Sequence, residues 1–131
     1  MSMTLKTRKV NGIVVVDMSG RFCSGEPILL FQETVRKFLG DGDKNFLLNL
    51  ADVSYIDTSG LGELIAMYSR TEKEGGAAKL VHLGKKAKDL LQMTKLVTVF
   101  DTFTDESEAI KSFEKQVAAR ADSQGYNGKA R

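Results

Sequence analysis

The 131-residue sequence holds one cysteine, one histidine and one proline. Cys23 has no second cysteine to pair with, so no internal disulfide forms, and the chain suits a reducing cytosol. A cysteine nucleophile would need His82, the sole histidine, which stands in the apolar run "AKLVHL". A serine triad meets the same shortage. No apolar run approaches the roughly 18 residues of a membrane-spanning helix. The opening "MSMTLKTRKVNG" lacks the apolar stretch of a secretory signal, so a cytoplasmic protein with no membrane partner is expected. Excess charge is lacking too. The formal net charge is +2, and Arg120, Lys129 and Arg131 set against Asp122 account for all of it. The rest of the chain is near neutral, which argues against nucleic acid as a partner despite a sequence pI of about 8.7. No His/Cys/Asp cluster has metal-binding spacing, and neither a metal nor a cofactor is expected. A phosphate-binding P-loop fails at its first position, because Gly84–Lys85 would need glycine where Lys79 stands.

What is present suits one soluble domain: 42% apolar and 27% charged residues over a length that can bury a core unaided. Asn11–Gly12 between "LKTRKV" and "IVVVDMSG" predicts a hairpin of strands near 5–10 and 13–19. "RFCSGE" reads as a loop. Pro27 suits the first turn of a helix that carries Ile28, Phe31, Val35, Phe38 and Leu39 and ends at "GDGD" (40–43). "NFLLNL" (45–50) reads as a strand buried on both faces. Leu61, Leu64, Ile65 and Tyr68 predict an amphipathic helix over 59–74, closed by Gly75–Gly76. A strand at 78–83, a helix at 84–94 with Ala87, Leu90 and Leu91 inward, and a last strand "VTVF" (97–100) follow. Thr104 is expected to cap a final helix that buries Ile110, Phe113 and Val117. Residues 120–131 lack periodicity and are expected to be a disordered tail, which leaves 1–119 as the domain. Strand–helix alternation after a hairpin predicts an α/β fold: a mixed, mostly parallel sheet of four to five strands with about four helices.

The unusual stretch is "YIDTSGLGEL" (55–64), where an acid, two hydroxyls and two glycines start a helix. A strand-to-helix junction is where ligands gather in α/β proteins. Asp57 as N-cap places Thr58 and Ser59 at the first two helical positions. Two hydroxyls beside an acid exceed what capping requires. Gly60 and Gly62 have two readings that stand together: close packing of the helix on a strand, or a bare surface that another protein can approach. An esterase-type nucleophile elbow needs glycine two residues either side of the serine, and Ser59 has Asp57 and Leu61 there. A phosphoacceptor receiver would require an acidic pair after its first strand and a lysine after its last; only Asp17 and the lysine-free "VTVFDTF" are offered.

"VSYIDTSGLGELIAMY" resembles the signature of STAS domains of the bacterial anti-sigma factor antagonist type. "MSGRF", "KNFLLNLADVSYIDTSGLG" and "AAKLVHLGKKAKDLLQMTKL" follow in the order that resemblance requires, over roughly residues 5–118. The resemblance implies a non-enzymatic partner switch. It implies that the unphosphorylated form binds an anti-sigma factor serine kinase and frees a sigma factor, that the kinase phosphorylates Ser59, and that a serine phosphatase resets the system. It places Asp57, Thr58, Ser59, Gly60, Leu61 and Gly62 at the partner surface. A STAS interaction subunit of another signalling or transport assembly is the alternative.

Overall fold

Asn11 (φ 52°) and Gly12 (φ 81°) both take the left-handed conformation, as a two-residue hairpin turn requires. They join β1 (Thr4–Val10) to β2 (Ile13–Phe22) in an antiparallel pair. The computed structural model describes residues 3–124, with side chains over 3–115. Helix α1 (Glu26–Gly40) leads to β3 (Asn45–Ile56), α2 (Thr58–Lys73) to β4 (Ala77–Val81), and α3 (Lys85–Met93) to β5 (Thr102–Phe103). A final helix, α4, spans Glu106–Gln124. The sheet runs β1-β2-β3-β4-β5, and every pair after the first is parallel. The expected mixed, mostly parallel α/β architecture is what forms.

The continuous apolar runs explain the layering. Val14 and Val16 of β2, with Phe46 and Leu48 of β3, face a core shared with α1, α2 and α3. Their neighbours Val15 and Leu47 point the other way, where Ala109, Ile110 and Phe113 of α4 cover them. Strands covered on both faces need no polar alternation, which is why "IVVV" and "NFLL" read as unbroken apolar runs. Each large side chain buried in this way contributes about 1.5–3 kcal/mol.

Several elements differ from expectation. β2 and β3 extend to Phe22 and Ile56, through the polar stretches "SGRF" and "ADVSYI". They pair with each other there, with irregular register between Asp17 and Ser19 and between Gly20 and Arg21. "VTVF" is not a strand. Lys95 turns left-handed (φ 63°) into a 3-10 turn at Leu96–Thr98, and the strand that reaches the edge of β4 is Thr102–Phe103. The β-prone residues of "VTVF" find no strand partner, and that propensity reflects packing context more than backbone preference. Ile65 is 40% exposed, while Met67 and Thr71 are buried on the inner side of α2. The cap of α4 is Asp105, not Thr104. Asp105 Oδ2 accepts the Glu108 N–H at 3.2 Å and the Ser107 hydroxyl at 2.6 Å. Helix α4 continues through Gln124 into the stretch expected to be a tail, and 125–131 lie outside the described residues, as does the side chain of Val117.

Polar anchors hold α4 on its face. Lys79 of β4, 4% exposed, donates to Ser112 Oγ at 2.9 Å and lies 4.8 Å from the Phe113 ring centroid. Arg8 of β1 donates to Asp17 at 2.8 and 3.1 Å and to Glu106 at 2.9 and 2.7 Å. These bonds from Arg8 hold both carboxyls below their ordinary range, against the opposing effect of burial. Depressed carboxylates contribute stability above about pH 4, and lose it as pH falls through their folded values. Arg8→Ala should therefore lower stability near neutral pH by about 1 kcal/mol, a figure kept small by solvent screening of a part-exposed cluster. The loss should shrink in acid. Denaturant melts of wild type and variant at neutral and acid pH check this; equal losses at both would show that Arg8 acts by packing rather than charge.

Candidate functional site

The junction between β3 and α2 is built from both ends. β3 delivers Asp57 as the N-cap of α2, with extended backbone (φ −108°, ψ −175°). Its Oδ1 accepts the Gly60 N–H at 2.9 Å, and its carbonyl accepts the Leu61 N–H at 2.9 Å. This satisfies donors that a helix start leaves open. The other carboxylate oxygen accepts the Ser24 N–H at 3.3 Å, so the loop between β2 and α1 is tied to the same residue. The Asp57 N–H donates to the Phe22 carbonyl at 3.3 Å. The Gly60 N–H is the main cause that holds the Asp57 carboxyl below the ordinary aspartate range; slight burial opposes it and Ser24 adds to it.

The six motif residues divide by exposure. Thr58, Ser59 and Gly62 are exposed, Asp57 is half-buried, and Gly60 and Leu61 are buried. Leu61 enters the core beneath α2. The two readings of the glycines separate here. A Cβ on Gly60 would collide with the Phe22 carbonyl and lie 3.1 Å from the Ile56 side chain, so this glycine serves close packing. A Cβ on Gly62 would meet nothing within 4 Å, so this glycine leaves open surface beside Ser59. Ser59, at the second helical position, thus presents its hydroxyl at a helix terminus whose partial positive charge favours an anion.

Neighbouring elements frame this terminus. Gln32 of α1 donates to Glu63 of α2 at 2.9 Å, and Leu29 of α1 is 60% exposed. Cys23 is half-buried in the loop before α1. His82 sits at the end of β4 in left-handed backbone (φ 61°), in a hollow with Ala51, Leu83 and Thr104. Among the described residues no group of three or more His, Cys, Asp or Glu is placed to hold a metal ion, and no helix is long and apolar enough to cross a membrane. The Ser24 contact was not legible from sequence. It is made by a backbone N–H, so no side-chain identity announces it.

Residues 4–109 match the STAS domain family, and the chain belongs to that family. An anti-sigma-B factor antagonist of Bacillus subtilis is 36% identical over 52 residues, which span 40% of this chain and 48% of that protein. A solved structure from Thermotoga maritima, of a candidate anti-sigma factor antagonist, is 25% identical with a TM-score of 0.79, over 84% of this chain and 94% of that one. The Bacillus cell fate determinant SpoIIAA in its phosphorylated form shares the fold at 18% identity and a TM-score of 0.68, over 83% of this chain and 98% of its own.

The geometry gives the two glycines opposite mutational signs. Gly60→Ala should destabilise the domain by about 1–3 kcal/mol, because the added methyl overpacks against backbone. Gly62→Ala should stabilise it by up to about 1 kcal/mol, since it improves an exposed helical position without a clash. Thermal and denaturant melts of the two variants check this, and the same sign for both would refute the assignment.

Proposed function

We propose that this chain is a cytoplasmic, non-enzymatic anti-sigma factor antagonist that works by partner switching at Ser59. Its unphosphorylated form binds an anti-sigma factor that is also a serine kinase, and so frees a sigma factor. The kinase transfers phosphate to the Ser59 hydroxyl and the complex separates; a serine phosphatase restores the binding form. Neither nucleic acid nor membrane takes part. Thr58, Ser59 and Gly62 form the exposed centre of the contact, with Asp57, Gly60 and Leu61 holding them in place. The observation that carries this reading is the exposed Ser59 hydroxyl at a capped helix start, next to a glycine with open space around it. The STAS family and its antagonist members support it, and a family fold solved in phosphorylated form agrees with it.

The switch follows from where the charge lands. Phosphorylation adds about −1.5 to −2 charges. At the start of α2 an anion is favoured by about 0.3–1 kcal/mol, so the domain keeps its fold. Within a packed interface the same charge loses its water without an assured counter-charge, at several kcal/mol. One covalent change therefore leaves the molecule folded and breaks the complex.

Incubation with the kinase and ATP should place a single phosphate on Ser59, mapped by mass spectrometry. Full labelling of Ser59→Ala, or phosphate on Thr58, would overturn the assignment. Ser59→Asp should weaken the kinase complex by at least about tenfold, or about 1.4 kcal/mol, with an unchanged melting curve. Ser59→Ala should bind and resist release by ATP. Wild-type affinity in the aspartate variant would show that charge at this terminus is not the switch.

A further inference from the structure

Strands β3 and β4 part company early. Their pairing ends at Asn49 and Val81, whereas β2 stays paired with β3 as far as Phe22 and Ile56. Over residues 50–56, β3 therefore has a strand on one side only among the described residues. The start of α3 lies near the vacant side. Two adjoining hollows occupy the space between them. One, of about 180 Å³, lies between Val53–Ile56 and Gly84–Ala87. The other, of about 250 Å³, reaches along α3 to Leu90 and Met93. The groove offers apolar surface: Met93 is 80% exposed and Tyr55 39%. Its rim is cationic. Lys85 and Lys86 are exposed on α3 and line it. The one acid in the lining, Asp89, is bonded to Lys85 at 3.2 Å.

We infer that this groove takes an extended, acidic segment of the same kinase partner that reaches Ser59, an inference that rests on the reading proposed above. An extended strand side admits a peptide as an added strand. The apolar floor accepts alternate side chains of such a strand. The cations on the rim select acids for the others. Position links the two contacts, because β3 runs through Tyr55 and Ile56 directly into Asp57 and Ser59. A segment seated here would hold the kinase beside its acceptor hydroxyl without touching it.

The groove can be read without the kinase. Two labelled peptides are compared by fluorescence anisotropy and amide shifts, one alternating glutamate with valine, the other lysine with valine. The glutamate peptide should bind at least about tenfold tighter and shift residues 53–56 and 84–93. Lys85→Glu combined with Lys86→Glu should abolish that preference while the melting curve stays unchanged. With the kinase, the same double variant should raise KM for Ser59 phosphorylation and leave kcat near wild type. Equal binding of the two peptides, shifts confined to other regions, or an unchanged KM would overturn the inference. So would binding to phosphatidylglycerol vesicles with no peptide binding, which would make the face a membrane contact. A wild-type chain that takes no phosphate at Ser59 yet prefers the acidic peptide would sink the switch and leave the groove standing.

Discussion

The contact between Gly60 and the Phe22 carbonyl is the constraint on which the site depends. Phe22 ends β2, and its ring is fully buried against Phe31 of α1, with ring centroids 4.9 Å apart. The same carbonyl accepts the Asp57 N–H. The end of one strand thereby fixes both the last step of the next strand and the first turn of α2. Any side chain at position 60 would lift α2 away from β2 and carry Ser59 with it. The hydroxyl is exposed, but its coordinates are set by one of the most buried parts of the molecule.

That arrangement suits a protein that is read by others. In doubly wound sheets, ligands enter where strand order reverses. Here the parallel strands follow one another in chain order without reversal, and α1, α2 and α3 all contribute to one core. No switch-point crevice arises between oppositely wound halves. The carboxyl end of β3 instead carries an exposed helix start, open on the Gly62 side. A rigid surface with a modifiable group can change its charge while its shape stays constant. Under the function proposed above, recognition turns on electrostatics, which a single phosphoryl group is large enough to reverse.

Much of this could be read from the residues. The hairpin was legible because Asn-Gly has few alternatives. The core strands were legible because burial on both faces removes polar residues. Asp57 as cap was legible from the acid before two hydroxyls. The extended halves of β2 and β3 were not, since "SGRF" and "ADVSYI" are held by pairing with each other, a long-range fact no local pattern carries. "VTVF" misleads because β-branched residues describe a preference, and whether a strand edge is within reach decides the outcome. For Asp105 the signal existed: Glu108 stands three residues on, at the spacing of a capping box, while Thr104 has Ser107 there. The division of labour between Gly60 and Gly62 needed coordinates, because both are glycines in the first turns of one helix and only one meets a carbonyl.

Strand order equal to chain order also shapes how this protein can be made. On the ribosome, each of β2, β3 and β4 meets a neighbour that has already emerged. α4 is different. Its Glu106 closes on Arg8, 98 residues earlier, and its apolar side covers Ile13, Val15, Leu47 and Val81. Until about the last fifth of the chain is out, that face of the sheet stands open to water and to other nascent chains. The moment of greatest aggregation hazard therefore falls late in synthesis, after α2 has a strand to rest on.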